Sequence, residues 1–100
     1  MVAVDETPTI AVALQTWPNP FNAATTIAFA VAEDEPVKLE IFDLRGRRVV
    51  TLLDERLAPG RHEVVWRGRN GAGTPASTGN YLVRLTTRTA ASSSRITLLE

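Results

Sequence analysis

The sequence of 100 residues predicts an all-β protein, an immunoglobulin-like antiparallel β-sandwich of about seven strands. Three observations predict it. Apolar residues recur with a period of two in short blocks, turn signals built on Gly and Pro separate the blocks, and no segment keeps a helical period over about ten residues.

Residues 1–9 read as a flexible N-terminal linker that lacks the basic start and apolar stretch of a signal peptide, and residues 10–99 as the folded domain. A first strand is expected over 10–16. Ile27, Phe29 and Val31 give one buried strand face over 25–32, and Val37, Leu39 and Ile41 give another over 36–43. Asp43-Leu44-Arg45-Gly46 is a turn in which Gly46 takes positive φ. It leads into a strand over 47–53, whose Val and Leu on both faces mark it as covered on two sides or wrapping an edge. Ala58-Pro59-Gly60 turns the chain into a strand over 61–67 with Val64 and Trp66 inward, and Asn70-Gly71-Ala72-Gly73 opens a longer loop to Gly79. Tyr81, Val83 and Leu85 define a strand over 80–87, and Ile96 and Leu98 one over 93–99. The Ser and Thr residues from Thr86 to Ser94 are expected at the polar tip of the last hairpin. Trp66, Phe29 and Tyr81 are the expected large pieces of the core.

With 44% hydrophobic and 22% charged residues the composition is that of an ordinary globular domain. Absence of Cys excludes thiolate metal sites, disulfides and thiol nucleophiles. The net charge is zero but unevenly spread: residues 1–43 hold seven acids against Lys38, and residues 44–100 hold ten Arg against Asp54, Glu55, Glu63 and Glu100. Aromatic residues are not clustered among the arginines as single-strand binding requires, so no nucleic-acid partner is expected. The asymmetry reads instead as pairing between the exposed faces of early and late strands.

Catalytic chemistry needs partners that this sequence does not supply. His62 is the single His, between Arg61 and Glu63, with a partly buried seat at best; as a metal ligand it needs carboxylate partners from elsewhere and as a general base it needs a nucleophile. Glu33-Asp34-Glu35 reads as a solvated turn rather than a calcium loop, and Asn70 to Gly73 lacks the Lys and helix of a phosphate cradle. No catalytic residue, metal ligand or cofactor site is therefore expected, and the domain reads as a non-enzyme and a monomer.

Trp17-Pro18-Asn19-Pro20-Phe21-Asn22 is the distinctive segment. Its prolines fix φ and restrict the residues before them, its two Asn side chains suit local backbone groups, and the Trp17 and Phe21 rings suit burial beneath the kinked chain. The expected product is a rigid corner pinning the first strand to the second.

This corner, followed by Thr25-Thr26-Ile27 and Phe29, then Ile41-Phe42-Asp43-Leu44-Arg45-Gly46-Arg47, then Gly60, Trp66, Gly68, Gly79 and Tyr81, resembles the C-terminal sorting domains of type IX secretion cargo. It is equally similar to the immunoglobulin-like domain of the flagellar hook-capping protein. Trp17 stands where the family more often has Tyr, Ala23-Ala24 where it has Pro-Ser, and Arg67 where an Asp often follows the Trp. The resemblance implies an exported, non-catalytic module fused behind a catalytic or adhesive domain, located at the cell surface or outside the cell. It implies two partners, outer-membrane secretion machinery and surface polysaccharide. The residues carrying it are Trp17, Pro18, Asn19, Pro20, Phe21, Asn22, Asp43, Gly46, Arg47, Trp66, Gly79 and Tyr81. Two alternatives stand beside sorting and anchoring: a structural spacer or assembly module, and an accessory carbohydrate-binding module of a polysaccharide-degrading enzyme with Trp17 as its exposed ring.

Overall fold

A computed structural model describes residues 14–99, so the linker over 1–9 and the start of the first expected strand lie outside the described residues. Seven strands follow one another: β1 Gln15–Trp17, β2 Thr25–Val31, β3 Glu35–Asp43, β4 Arg48–Leu57, β5 Gly60–Trp66, β6 Gly79–Thr87 and β7 Ala91–Leu98. They form a three-stranded sheet in the order β1-β2-β5 and a four-stranded sheet in the order β4-β3-β6-β7, with every strand pair antiparallel. This is the immunoglobulin-like sandwich that the sequence predicts.

Period two converts directly into two inner faces. Ile27, Phe29, Val31 and Trp66 from the small sheet meet Val37, Leu39, Ile41, Tyr81, Val83, Leu85, Ile96 and Leu98 from the large one, all buried. Val64 is only half-buried but packs on the same cluster. β4 is the edge strand of the large sheet, and its register slips against β3 at Leu39/Glu40 and at Ile41/Phe42. The slips re-aim successive side chains, so Val49, Val50, Leu52 and Leu53 all pack against the core from the rim. This is the edge-wrapping strand that its two-faced apolar sequence predicts.

Four expectations are corrected. β4 runs on to Leu57, because Asp54, Glu55 and Arg56 pair with Lys38, Val37 and Pro36 and an edge strand tolerates charge. Glu35 belongs to β3 and is buried, in phase with Val37, Leu39 and Ile41. Its carboxylate accepts from the Arg88 backbone N–H at 3.3 Å. Ser92 to Ser94 lie within β7 rather than at a hairpin tip, and Ser92 and Ser94 share the inward phase of Ile96 and Leu98. Trp17 is 43% exposed, turned outward with Gln15 while Thr16 faces in.

The split charge is used across one hairpin. Arg47, Arg48 and Arg56 pair with Asp43, Glu40 and Asp34, joining acids of the first half to arginines of the second along β3 and β4. The Arg47–Asp43 and Arg56–Asp34 pairs are solvent-exposed and contribute little to stability, whereas the Arg48–Glu40 pair has its carboxylate buried. His62 lies at the opposite end of the small sheet from the corner. Its ring stacks on Phe29 at 5.8 Å and its Nε2 bonds the Ala58 carbonyl at 2.8 Å, a structural seat.

Candidate functional site

Antiparallel pairing brings the corner 18–24, the β3–β4 turn, the β5–β6 loop and the end of β7 to one pole of the sandwich. All the residues singled out in the sequence gather there. Trp17 ends β1, Pro18 to Asn22 form the corner, Asp43 ends β3, Gly46 and Arg47 make the turn, Trp66 ends β5, and Gly79 and Tyr81 begin β6.

Buried aromatic rings hold the pole together. Phe21 is 1% exposed; its ring meets Trp66 at 5.6 Å, and Trp66 meets Tyr81 edge-on at 5.3 Å. Corner, β5 and β6 are thus joined through three rings in the tilted and edge-to-face geometries that aromatic quadrupoles favour. The polar tips of two rings then brace the β5–β6 loop: the Trp66 indole N–H donates to the Arg69 carbonyl at 2.9 Å, and the Tyr81 hydroxyl donates to the Ser77 carbonyl. The second bond is the tyrosine corner of sandwich domains.

The corner reaches farther than its sequence suggests. Both Trp17-Pro18 and Asn19-Pro20 peptide bonds are cis, and the buried Thr25 hydroxyl donates to the Pro18 carbonyl at 2.9 Å. Asn19 bonds β7 and no local group: its amide donates to the Arg95 carbonyl at 2.9 Å and its Oδ1 accepts from Thr97 N–H at 3.0 Å. Phe21 N–H donates to Thr97 O and Leu99 N–H to Phe21 O, at 2.9 and 2.8 Å. Three backbone groups on the outer edge of β7, and the Leu99 N–H just past it, are therefore occupied, and the corner ties the small sheet to the last strand of the large one. The expected link between first and second strands is present in the β1–β2 pairing, yet the clasp on β7 is the additional and unforeseen role. Asn22, by contrast, makes no side-chain hydrogen bond among the described residues. Ala23 carries φ 85°, a left-handed conformation that costs a non-Gly residue about 1–2 kcal/mol.

Asp43 caps the β3–β4 turn. Its Oδ1 accepts from the backbone N–H groups of Arg45 and Arg47 at 2.9 and 3.0 Å, and its Oδ2 from Arg47 Nε at 3.3 Å. These donors, the Arg47 backbone N–H foremost, hold its pKa below the ordinary carboxylate value. Gly46 has φ 86° with nothing near the position of a Cβ, so conformation and not crowding selects Gly. Asn70 repeats the device in the β5–β6 loop, its Oδ1 accepting from Ala72 and Thr74 N–H at 3.0 and 2.9 Å. Burial, and secondarily the Asp43 charge, pushes the Tyr81 phenol up.

Two open clefts flank the Pro75–Ala76 ridge. One of about 380 Å³ is lined by Asp43, Arg47, Arg48, Asn70, Ser77 and Tyr81, the other of about 210 Å³ by Asn22, Ala23, Arg67, Gly68, Thr78 and Leu98. The described residues contain no group of three or more acids and His placed to hold a metal ion, and His62 is at the far pole. From its place at the end of β1, Trp17 turns its ring onto the outer face of the small sheet, with the Arg61 guanidinium 5.9 Å from its centroid.

A two-sheet sandwich with a tyrosine corner, and no helix among the described residues, defines an immunoglobulin-like module. The chain belongs to the FlgD Ig-like domain family, whose model matches residues 16–91. Among solved structures, the dimeric latent form of PorU from Porphyromonas gingivalis superposes with a TM-score of 0.74 and 20% identity, over 98% of this chain and 10% of that one. PorZ of the same organism, described as an essential bacterial surface component of the type IX secretion system, superposes with a TM-score of 0.60 and 20% identity, over 87% of this chain and 11% of that one. At this identity the likeness is one of fold, and this chain spans about a tenth of either protein's length. No curated protein matches the chain.

Proposed function

We propose that this is a non-catalytic module of a larger exported protein, recognised by the type IX secretion machinery and holding that protein at the cell surface. The observation that carries the reading is the pole itself. The motif series that resembles sorting domains gathers at one braced end of the sandwich, with its rings Phe21, Trp66 and Tyr81 buried beneath the loops and the corner clasped to β7. Shared fold with a segment of PorZ, a surface component of that system, supports the same reading. The test is a reporter with its own export signal, expressed in a type IX-competent host with and without residues 14–99. Reporter reaching the outer surface only when the module is attached is the expected result; equal retention in the periplasm overturns it.

Exposure of the Trp17 ring favours a second reading, an accessory carbohydrate-binding surface on the small sheet. Polysaccharide retention lost in Trp17→Ala supports that reading, and no retention by the wild-type module removes it.

A further inference from the structure

The uneven charge of the sequence becomes a polarity of the folded domain. The pole that holds the corner carries Arg45, Arg47, Arg48, Arg67, Arg69 and Arg95, all exposed. Among the described residues its acids are engaged, with Asp43 bound to Arg47 and the buried Glu40 bound to Arg48. Among the described residues, Arg45, Arg67 and Arg95 have no carboxylate partner. Glu33, Asp34, Asp54 and Glu55 lie toward the opposite pole.

Leu44, at the tip of the β3–β4 turn between Asp43 and Arg45, is 54% exposed. The turn that presents it is fixed by Asp43, and the neighbouring loop by Asn70, Trp66 and Tyr81. We infer that this arginine-rich pole, with Leu44 as its apolar anchor, is the docking surface for an acidic face of a partner protein. The inference rests on the export reading above and names the chemistry of what recognises the module.

Exposed arginines around an aliphatic side chain are the composition of a protein interface, in which Arg is enriched and an apolar anchor fills a pocket. Loops already braced lose little freedom on binding, which lowers the cost of association. A polysaccharide or single-stranded nucleic acid is the poorer fit, because stacking needs an open aromatic face and the one exposed ring, Trp17, is approached by Arg61 on the outer sheet face.

The test uses the same reporter fusion with the double substitution Arg45→Glu and Arg67→Glu, with Leu44→Ser, and with Arg88→Glu at the far pole as control. Circular dichroism and thermal melting confirm folding of each. Surface delivery is expected to fall about ten-fold or more in the first two, as like-charge contact and loss of an anchor demand, and to hold in Arg88→Glu. Delivery within two-fold of wild type in all three, with the wild-type module still delivering, overturns the docking surface and leaves the export reading intact. A wild-type module that fails to deliver overturns the export reading instead. A photo-crosslinking residue at position 44 identifies the occupant: an adduct with another protein, lost in the double variant, supports the inference. An adduct of two copies of this chain, or with polysaccharide alone, contradicts it.

Discussion

Asn19→Ala removes the side-chain half of the clasp between the corner and β7 and leaves the two Phe21 backbone bonds in place. Two hydrogen bonds go, from the side-chain amide to Arg95 O and from Thr97 N–H to Oδ1, at 2.9 and 3.0 Å. A hydrogen bond contributes about 0.5–1.5 kcal/mol net. Both lie at an exposed position where water replaces them in part, so the sum is about 1–2 kcal/mol. In a domain of this size that lowers the melting temperature by about 4–16 °C. Urea denaturation reads the effect as a lower midpoint with an unchanged slope. Hydrogen exchange localises it, since the Thr97 amide loses its acceptor while the Thr97 carbonyl keeps Phe21 N–H. Asn22→Ala is the matched control, with a change below about 0.5 kcal/mol as for a surface site without partners. Equal midpoints for Asn19→Ala and wild type, with Thr97 as protected as before, refute the clasp.

Three further outcomes follow from the pole. Tyr81→Phe strips the donor from the Ser77 carbonyl and is expected to cost about 1–2 kcal/mol, read as a shifted denaturation midpoint. Ala23→Gly relieves the φ of 85° and, after the greater freedom of Gly in the unfolded chain, is expected to raise stability by about 0.5 kcal/mol; a loss contradicts the strain assigned there. The Asp43 pKa is lowered in the folded state, so the turn it caps gains stability that is present above the unfolded value of roughly 4 and lost as pH falls through the folded value. Asp43→Asn removes that acid-limb dependence, and an acid titration of stability with the same slope in both proteins counts against the cap.

Alternation in the sequence was enough to place the sandwich, because each inward phase is marked by Val, Ile, Leu or an aromatic ring: Val37, Leu39 and Ile41 could face only one way. The same phase, extended by one step, marks Glu35 as inward and puts Ser94 on the same face as Ile96. Composition, read residue type by residue type, hides both. Trp17 is a similar case, since Leu14 and Thr16 share a phase and leave Trp17 on the opposite face, whatever the size of its ring. The clasp has no such signal. An Asn side chain satisfies a near or a distant backbone equally well, and nothing in the segment from Trp17 to Asn22 says that the last strand runs beside it. The convergence of Asp43, Arg47, Trp66 and Tyr81 at one pole follows from strand order, which periodicity leaves open. The arginine polarity follows from the same source, because Arg45 and Arg67 come to the same pole only once β3 and β5 are known to end together.

The export reading is tested most directly by the surface fraction of a reporter carrying residues 14–99, measured by cell fractionation and surface proteolysis in a type IX-competent strain and in its isogenic partner lacking the system. Surface reporter in the first strain alone, abolished by removing the module, is the predicted result. Equal surface fractions in the two strains, or in the first strain with and without the module, contradict it.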